Sequence, residues 1–187
     1  PLEVDEAPAF AADIEVVQPE PTAEPGPVET APAAEETLLA SMPADAEPEL
    51  VEIFLEEANE VLATMGEACE VCQNTPDDQE SLTVIRRAFH TLKGSGRMVG
   101  LNELGETGWR FEQLMNGWLA EKKSANSDLL RLLERARGVF QDWVDALQSN
   151  QSVTLPVPAL LAALERVARG EALDAAPVAA VEPVVAL

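Results

Sequence analysis

Leu82, Ile85, Phe89, Leu92, Gly96 and Val99 follow one another at spacings of 3, 4, 3, 4 and 3 residues. That is the seam of a helix packed lengthwise against other helices, and it excludes the two-residue period of a half-buried strand. The same period runs through Leu101, Leu104, Gly108, Phe111, Met115 and Trp118, and again through Leu129, Leu132, Ala136, Val139, Trp143 and Leu147. Upstream, Leu50, Phe54, Ala58, Val61, Met65, Ala68 and Cys72 form one stripe, with Glu52, Glu56, Glu57, Glu60 and Glu67 largely outside it. No convincing strand pattern occurs anywhere in the chain. The spacing therefore predicts an all-α fold, an antiparallel four-helix bundle over 48–150 with a short fifth helix within 151–170.

Punctuation supports the division. Thr75-Pro76-Asp77-Asp78 stops the first helix and offers an N-cap to the second, Asn126-Ser127-Asp128 caps the fourth, and Gly170 ends the fifth after Arg166 and Arg169. Nine of the 14 prolines lie at or before Pro48, interleaved with Ala, Glu and Val. Residues 171–187 repeat that texture. Proline at this density blocks continuous helix, so 1–47 and 171–187 read as disordered acidic Ala/Pro-rich linkers, with a short helix at 34–41 possible. Beginning at Pro1 instead of Met, the chain is expected to be a piece of something longer.

Charge excludes several classes of function. The first 85 residues hold 22 acids and no Lys or Arg, while the remainder holds 12 of each, so the net charge of −22 sits in the first half. Such a chain repels nucleic acid and anionic membrane, leaving protein partners. No apolar run approaches the roughly 20 residues that cross a bilayer, and no signal-peptide pattern opens the chain. A cytoplasmic location is expected. Cys69 and Cys72 form a C-x-x-C within a helical pattern. With no second pair and no nearby histidine, they read as small apolar side chains rather than a metal or redox site.

The chain has one histidine. His90 follows the seam residue Phe89 by one position and so points about 100° away from the buried stripe, toward the surface. Arg86, Lys93, Gly94 and Arg97 lie on the same flank. The result is one titratable nucleophile in a cationic strip suited to a phosphoryl group. Gly94 and Gly96 each cost a helix about 1 kcal/mol relative to Ala, so each needs a reason. Gly96 in the seam permits close helix approach, and Gly94 beside His90 opens the imidazole to a partner. The alternative is that the helix ends at Gly94 and G-S-G is a loop, although the seam continues to Val99. The glycine spacing fits neither a Rossmann nor a P-loop pattern.

If Gly100 turns an antiparallel hairpin, His90 lies roughly 15 Å back along one helix and Glu112 roughly 18 Å forward along the other. A carboxylate there would accept the Nδ1 proton and leave Nε2 as a lone-pair nucleophile. An ordinary solvated glutamate is the equal alternative, just as a lone surface histidine is the bland reading of His90. Serine or cysteine nucleophiles find no imidazole partner, and the Glu-x-x-His pairs of a dimetal bundle are missing.

The segment H-T-L-K-G-S-G-R-M-V-G-L, from His90 to Leu101, resembles the H-x-x-K-G phosphorylation motif of histidine-containing phosphotransfer (HPt) domains, in particular those of CheA-type chemosensory kinases. The resemblance implies that His90 is the phosphoacceptor, that Lys93 supports the phosphoryl group, that Gly94 gives access and that Glu112 orients the imidazole. It departs from the family at Trp109, where chemotaxis kinases often carry a second histidine. The longer wording R-x-A-F-H-T-L-K-G-S-G-R-M-V-G and the acidic flanks are similar to modules of hybrid kinases associated with type IV pili and twitching motility.

The resemblance also implies the partners. A histidine-kinase ATP-binding domain would phosphorylate His90, and the aspartate of a response-regulator receiver domain would take the group onward. No cofactor is expected on this chain, since ATP and magnesium would belong to partner domains. No ATP-dependent activity is expected of it alone, and it should be monomeric. A non-catalytic helical docking module for the same domains, and a purely structural spacer, are the alternatives.

Overall fold

The computed structural model describes residues 38–44 and 46–174. In chain order they form β1 (Leu38–Ala40), α1 (Pro48–Asn74), α2 (Gln79–Met98), α3 (Asn102–Ala120), α4 (Ser127–Gln148), β2 (Val153–Leu155) and α5 (Val157–Ala168). Three helix starts follow from local chemistry. Pro48 opens α1, where its missing N–H costs nothing. Asp78 caps α2 by accepting from the amides of Glu80 and Ser81, and Asn126 caps α4 by accepting from Leu129 N at 2.8 Å.

The most extensive helix contact is α2 against α3, followed by α1 against α2 and α1 against α4, while α5 packs on both α4 and α3. The bundle core is aromatic where three helices meet. Phe89 of α2 stacks on Phe111 of α3 with centroids 4.8 Å apart, and meets Phe140 of α4 at 5.9 Å. All four rings of Phe54, Phe89, Phe111 and Phe140 are fully buried, each removing 150–250 Å² from water as a rough average for aromatic side chains.

Every apolar position expected in α2, α3 and α4 is buried. In α1 the expected stripe slips by one residue at two places: Val51 and Leu62 are buried, while Leu50 and Val61 are only partly so. The reason is that α1 packs on both α2 and α4. Its buried face is wider than one seam, and Cys69 joins Cys72 within it.

Two expectations are corrected. In place of a helical turn within 34–41, the described part of that segment is β1, which pairs antiparallel with β2 in the register Leu38 with Leu155 and Ala40 with Val153. Three-residue strands are too short to display a period. Their pairing partner lies more than a hundred residues away, so nothing local announces it. The segment after Gly170 also begins in an ordered way. Leu173 is fully buried, its N–H donates to Asp128 and its carbonyl accepts from Arg166 Nε at 3.2 Å. The remaining linker residues expected in 1–37 and 175–187 lie outside the described set. No helix among the described residues is long and apolar enough to cross a membrane.

Candidate functional site

The turn between α2 and α3 sets the site. Gly100 adopts φ of +82°, a left-handed conformation that glycine takes without strain. Leu101 N donates to Gly96 O at 2.9 Å and Gly100 N to Arg97 O at 3.1 Å, the paired bonds of a Schellman C-cap. Helix α2 runs unbroken through G-S-G to Met98, so the loop alternative does not arise. The hairpin then folds α3 back along α2.

That return brings three side chains together. His90 Nδ1 lies 2.8 Å from Glu112 Oε1, and Lys93 Nζ donates to Glu112 Oε2 at 2.7 Å. Glu112 is buried, with 8% of its side chain exposed, whereas the His90 side chain is 62% exposed. One carboxylate thus spans two donors, one oxygen each. Burial acts to raise the Glu112 pKa, but the hydrogen bonds from Lys93 and then His90, with their charges, outweigh it and hold the carboxyl below its usual range.

The hydrogen-bond network assigns the tautomer. An ionised carboxylate only accepts, so Nδ1 must carry the proton that Glu112 receives. Lys93 Nζ is also 3.4 Å from Nδ1, but a protonated Nδ1 has no lone pair with which to accept, so the lysine bond is the one to Glu112. In the neutral imidazole the lone pair then belongs to Nε2, the nitrogen away from Glu112 on a side chain that is 62% exposed. The arrangement is an imidazole oriented by a buried carboxylate, with an ammonium group beside it.

The other flank residues stand apart. A Cβ on Gly94 would meet nothing within 4 Å, so the surface beside His90 is open. A Cβ on Gly96 would fall 2.7 Å from Leu104 Cδ2, which accounts for that glycine by close packing. Arg97 turns toward α3 and pairs with Glu106 at 3.3 Å, in company with Arg110. Arg86 is half-buried and, among the described residues, makes no hydrogen bond or ion pair with His90, Lys93 or Glu112. Of the three expected cations, Lys93 alone reaches the imidazole. Trp109 is 38% exposed on α3.

Sequence reasoning overlooked Gly105, whose missing side chain admits Arg97 and the Lys93 carbonyl, both of which would lie within 3.2 Å of a Cβ there. The available signal was the cost of glycine inside a helix, weighed for α2 but not for α3. Cys69 and Cys72 are free and buried. Burial, then the charge of Glu134, pushes the Cys69 thiol up to about 12, so it stays protonated and inert. No group of three or more His, Cys, Asp or Glu side chains that would hold a metal ion occurs among the described residues.

Comparison with known proteins agrees on one family. The Hpt domain matches residues 49–150. The chemotaxis protein CheA of Klebsiella aerogenes is 30% identical over 98 residues, covering 52% of this chain and 15% of that protein. CheA of Rhizobium meliloti is 28% identical over 129 residues, 68% of this chain and 17% of that protein. CheA of Salmonella typhimurium is 29% identical over 99 residues, 52% of this chain and 15% of that protein. The chain spans well under a fifth of each relative's length.

Proposed function

Because this chain belongs to the Hpt domain family, which matches it over residues 49–150, we propose that His90 is a phosphoacceptor that relays a phosphoryl group between protein domains. The observation carrying this reading is a largely exposed His90 side chain whose Nδ1 is bonded to buried Glu112 at 2.8 Å, which turns Nε2 away from that carboxylate.

The chemistry follows from that bond. The Nε2 lone pair attacks phosphorus, a P–N bond forms, and the P–O bond to the donor's leaving group breaks with its electron pair. The imidazole becomes an imidazolium whose charge Glu112 offsets through Nδ1–H. Lys93, 20% exposed beside the ring, faces the phosphoryl oxygens and offsets part of their charge. Onward transfer reverses the polarity. A carboxylate of the acceptor attacks phosphorus, the P–N bond breaks, and its electrons return to Nε2. Gly94 leaves the approach clear for the partner that brings either group.

The partners we infer are a histidine-kinase ATP-binding domain as donor and response-regulator receiver domains as acceptors. Nucleotide and magnesium would be held by those domains, and the piece described would act as a monomer without a cofactor. The wording around His90 supports placement in a chemosensory system that governs type IV pili and twitching motility.

The experiment is phosphorylation by phosphoramidate, a small donor that needs no docking, read by intact mass before and after mild acid. An acid-labile adduct on the parent and none on His90→Gln is expected. An adduct on His90→Gln overturns the assignment. A parent that gains no adduct from phosphoramidate or from a CheA-type kinase domain leaves the family's bundle serving as a docking module.

A further inference from the structure

One residue at the α2–α3 contact has no explanation in its own helix. Gly108 sits in the middle of α3, where glycine costs about 1 kcal/mol relative to Ala. A Cβ placed on it would lie 3.2 Å from Lys93 N, 3.3 Å from Phe89 O and 3.4 Å from Lys93 Cα. All three atoms are backbone of α2 and cannot swing aside as a side chain tip can. Phe89 O and Lys93 N are separated by four residues, so they are the two ends of the backbone hydrogen bond that closes one helical turn. That turn is the one that carries His90.

Glu112 is four residues beyond Gly108, one turn along the same face of α3. The two positions act on the same segment from the same side: Gly108 touches the backbone of the His90 turn, and Glu112 touches its imidazole at 2.8 Å. Glu112 spans two partners, one with each oxygen, at 2.8 Å and 2.7 Å, which limits how far its side chain can follow a shift of the helix. An acceptor moved from 2.8 Å to about 3.6 Å no longer makes a hydrogen bond, so a displacement of α3 by less than 1 Å is enough to uncouple the pair.

We propose that Gly108 is a positioning residue for His90: its missing side chain lets α3 approach the Phe89–Lys93 backbone closely enough for Glu112 to reach Nδ1. This inference rests on the phosphotransfer reading of His90 and adds a residue that never touches the reacting atoms. Gly108 differs in this from Gly94, where a Cβ would meet nothing within 4 Å and where glycine serves access from outside.

The test uses the whole chain and the phosphoramidate reaction, with His90 tautomers read by nitrogen-15 NMR of the imidazole. Gly108→Val should slow phosphorylation on the order of tenfold, as loss of the Glu112 bond would. It should also remove the excess of the Nδ1–H tautomer. The double variant Gly108→Val/Glu112→Ala should be no slower than Glu112→Ala, because both changes break one link. Gly117→Val, on the same helix where a Cβ would meet nothing within 4 Å, should leave rate and tautomer unchanged. If Gly108→Val does not fold, Gly108→Ala carries the test through a smaller loss of the same tautomer. Rates that multiply in the double variant, or a parent-like tautomer in a slowed Gly108 variant, would overturn the proposal. Failure of the phosphotransfer reading itself would show separately, as an adduct on His90→Gln or as a parent that gains none, and the tautomer of the Gly108 variants is read in either case.

Discussion

Glu112 is bonded by His90 and Lys93, and Asp174 by Arg131 and Arg135, one carboxylate to two side chains in each case. Both sit below the usual carboxylate range. Glu112 does so against its burial through Lys93 and His90, and Asp174 through Arg135 and Arg131. They differ in what surrounds them. The Glu112 side chain is 8% exposed and the Asp174 side chain 51%. Water competes freely for Asp174, so its bonds cost little to lose. Glu112 has exchanged water for two fixed donors, and removing it leaves them unsatisfied in a site that solvent only partly reaches. Like pairings therefore differ in consequence: one holds an imidazole in place from a buried position, while the other is a solvated clasp on the chain after α5.

The comparison breaks most easily at Leu173. If packing fastens the tail, Leu173→Ala should destabilise the bundle by about 2–5 kcal/mol in denaturant unfolding, while the protein that remains folded is phosphorylated at the parent rate. A smaller loss would give the fastening role to Asp174 instead.

Glu112→Ala comes next. Losing a hydrogen bond to a charged group, about 1.5–3 kcal/mol, corresponds to a roughly 10- to 100-fold slower reaction of His90, not an abolished one. An unchanged rate with phosphoramidate would make Glu112 a bystander. The pH dependence has a defined sign. A carboxyl held lower in the folded state than in the unfolded state stabilises the fold above the unfolded value, about 4.3. That contribution is lost as pH falls through the lower folded value. The stability gap between the parent and Glu112→Gln should thus be flat above the ordinary carboxylate range and close below it.

Asp174→Ala should give the smallest effect, a slight fall in Tm that vanishes at high salt, with phosphorylation unaltered. Salt should leave the Glu112 gap in place. Equal salt sensitivity at the two sites would mean that burial does not separate them.

Much of this was open to reading from the residues in order. The seams of α2, α3 and α4, the caps at Asp78 and Asn126, the turn at Gly100 and the outward placement of His90 are consequences of 3.6 residues per turn and of which side chains satisfy a helix end. Such rules act within about one turn, so a sequence displays them directly. Counting rise per residue from Gly100 even placed Glu112 level with His90.

Tertiary structure decided the rest. Whether Val51 or Leu50 faces inward depends on α1 serving two neighbours, and β1 finds β2 across the whole bundle. Arg97 pairs with Glu106 and leaves Lys93 alone beside the imidazole. The burial of Leu173 and the backbone contact at Gly108 depend on how closely two elements approach. Periodicity determines which face a residue occupies. Distances of a few tenths of an ångström between faces emerge only when all the side chains are packed at once, and on that scale the hydrogen bond between His90 and Glu112 is made or lost.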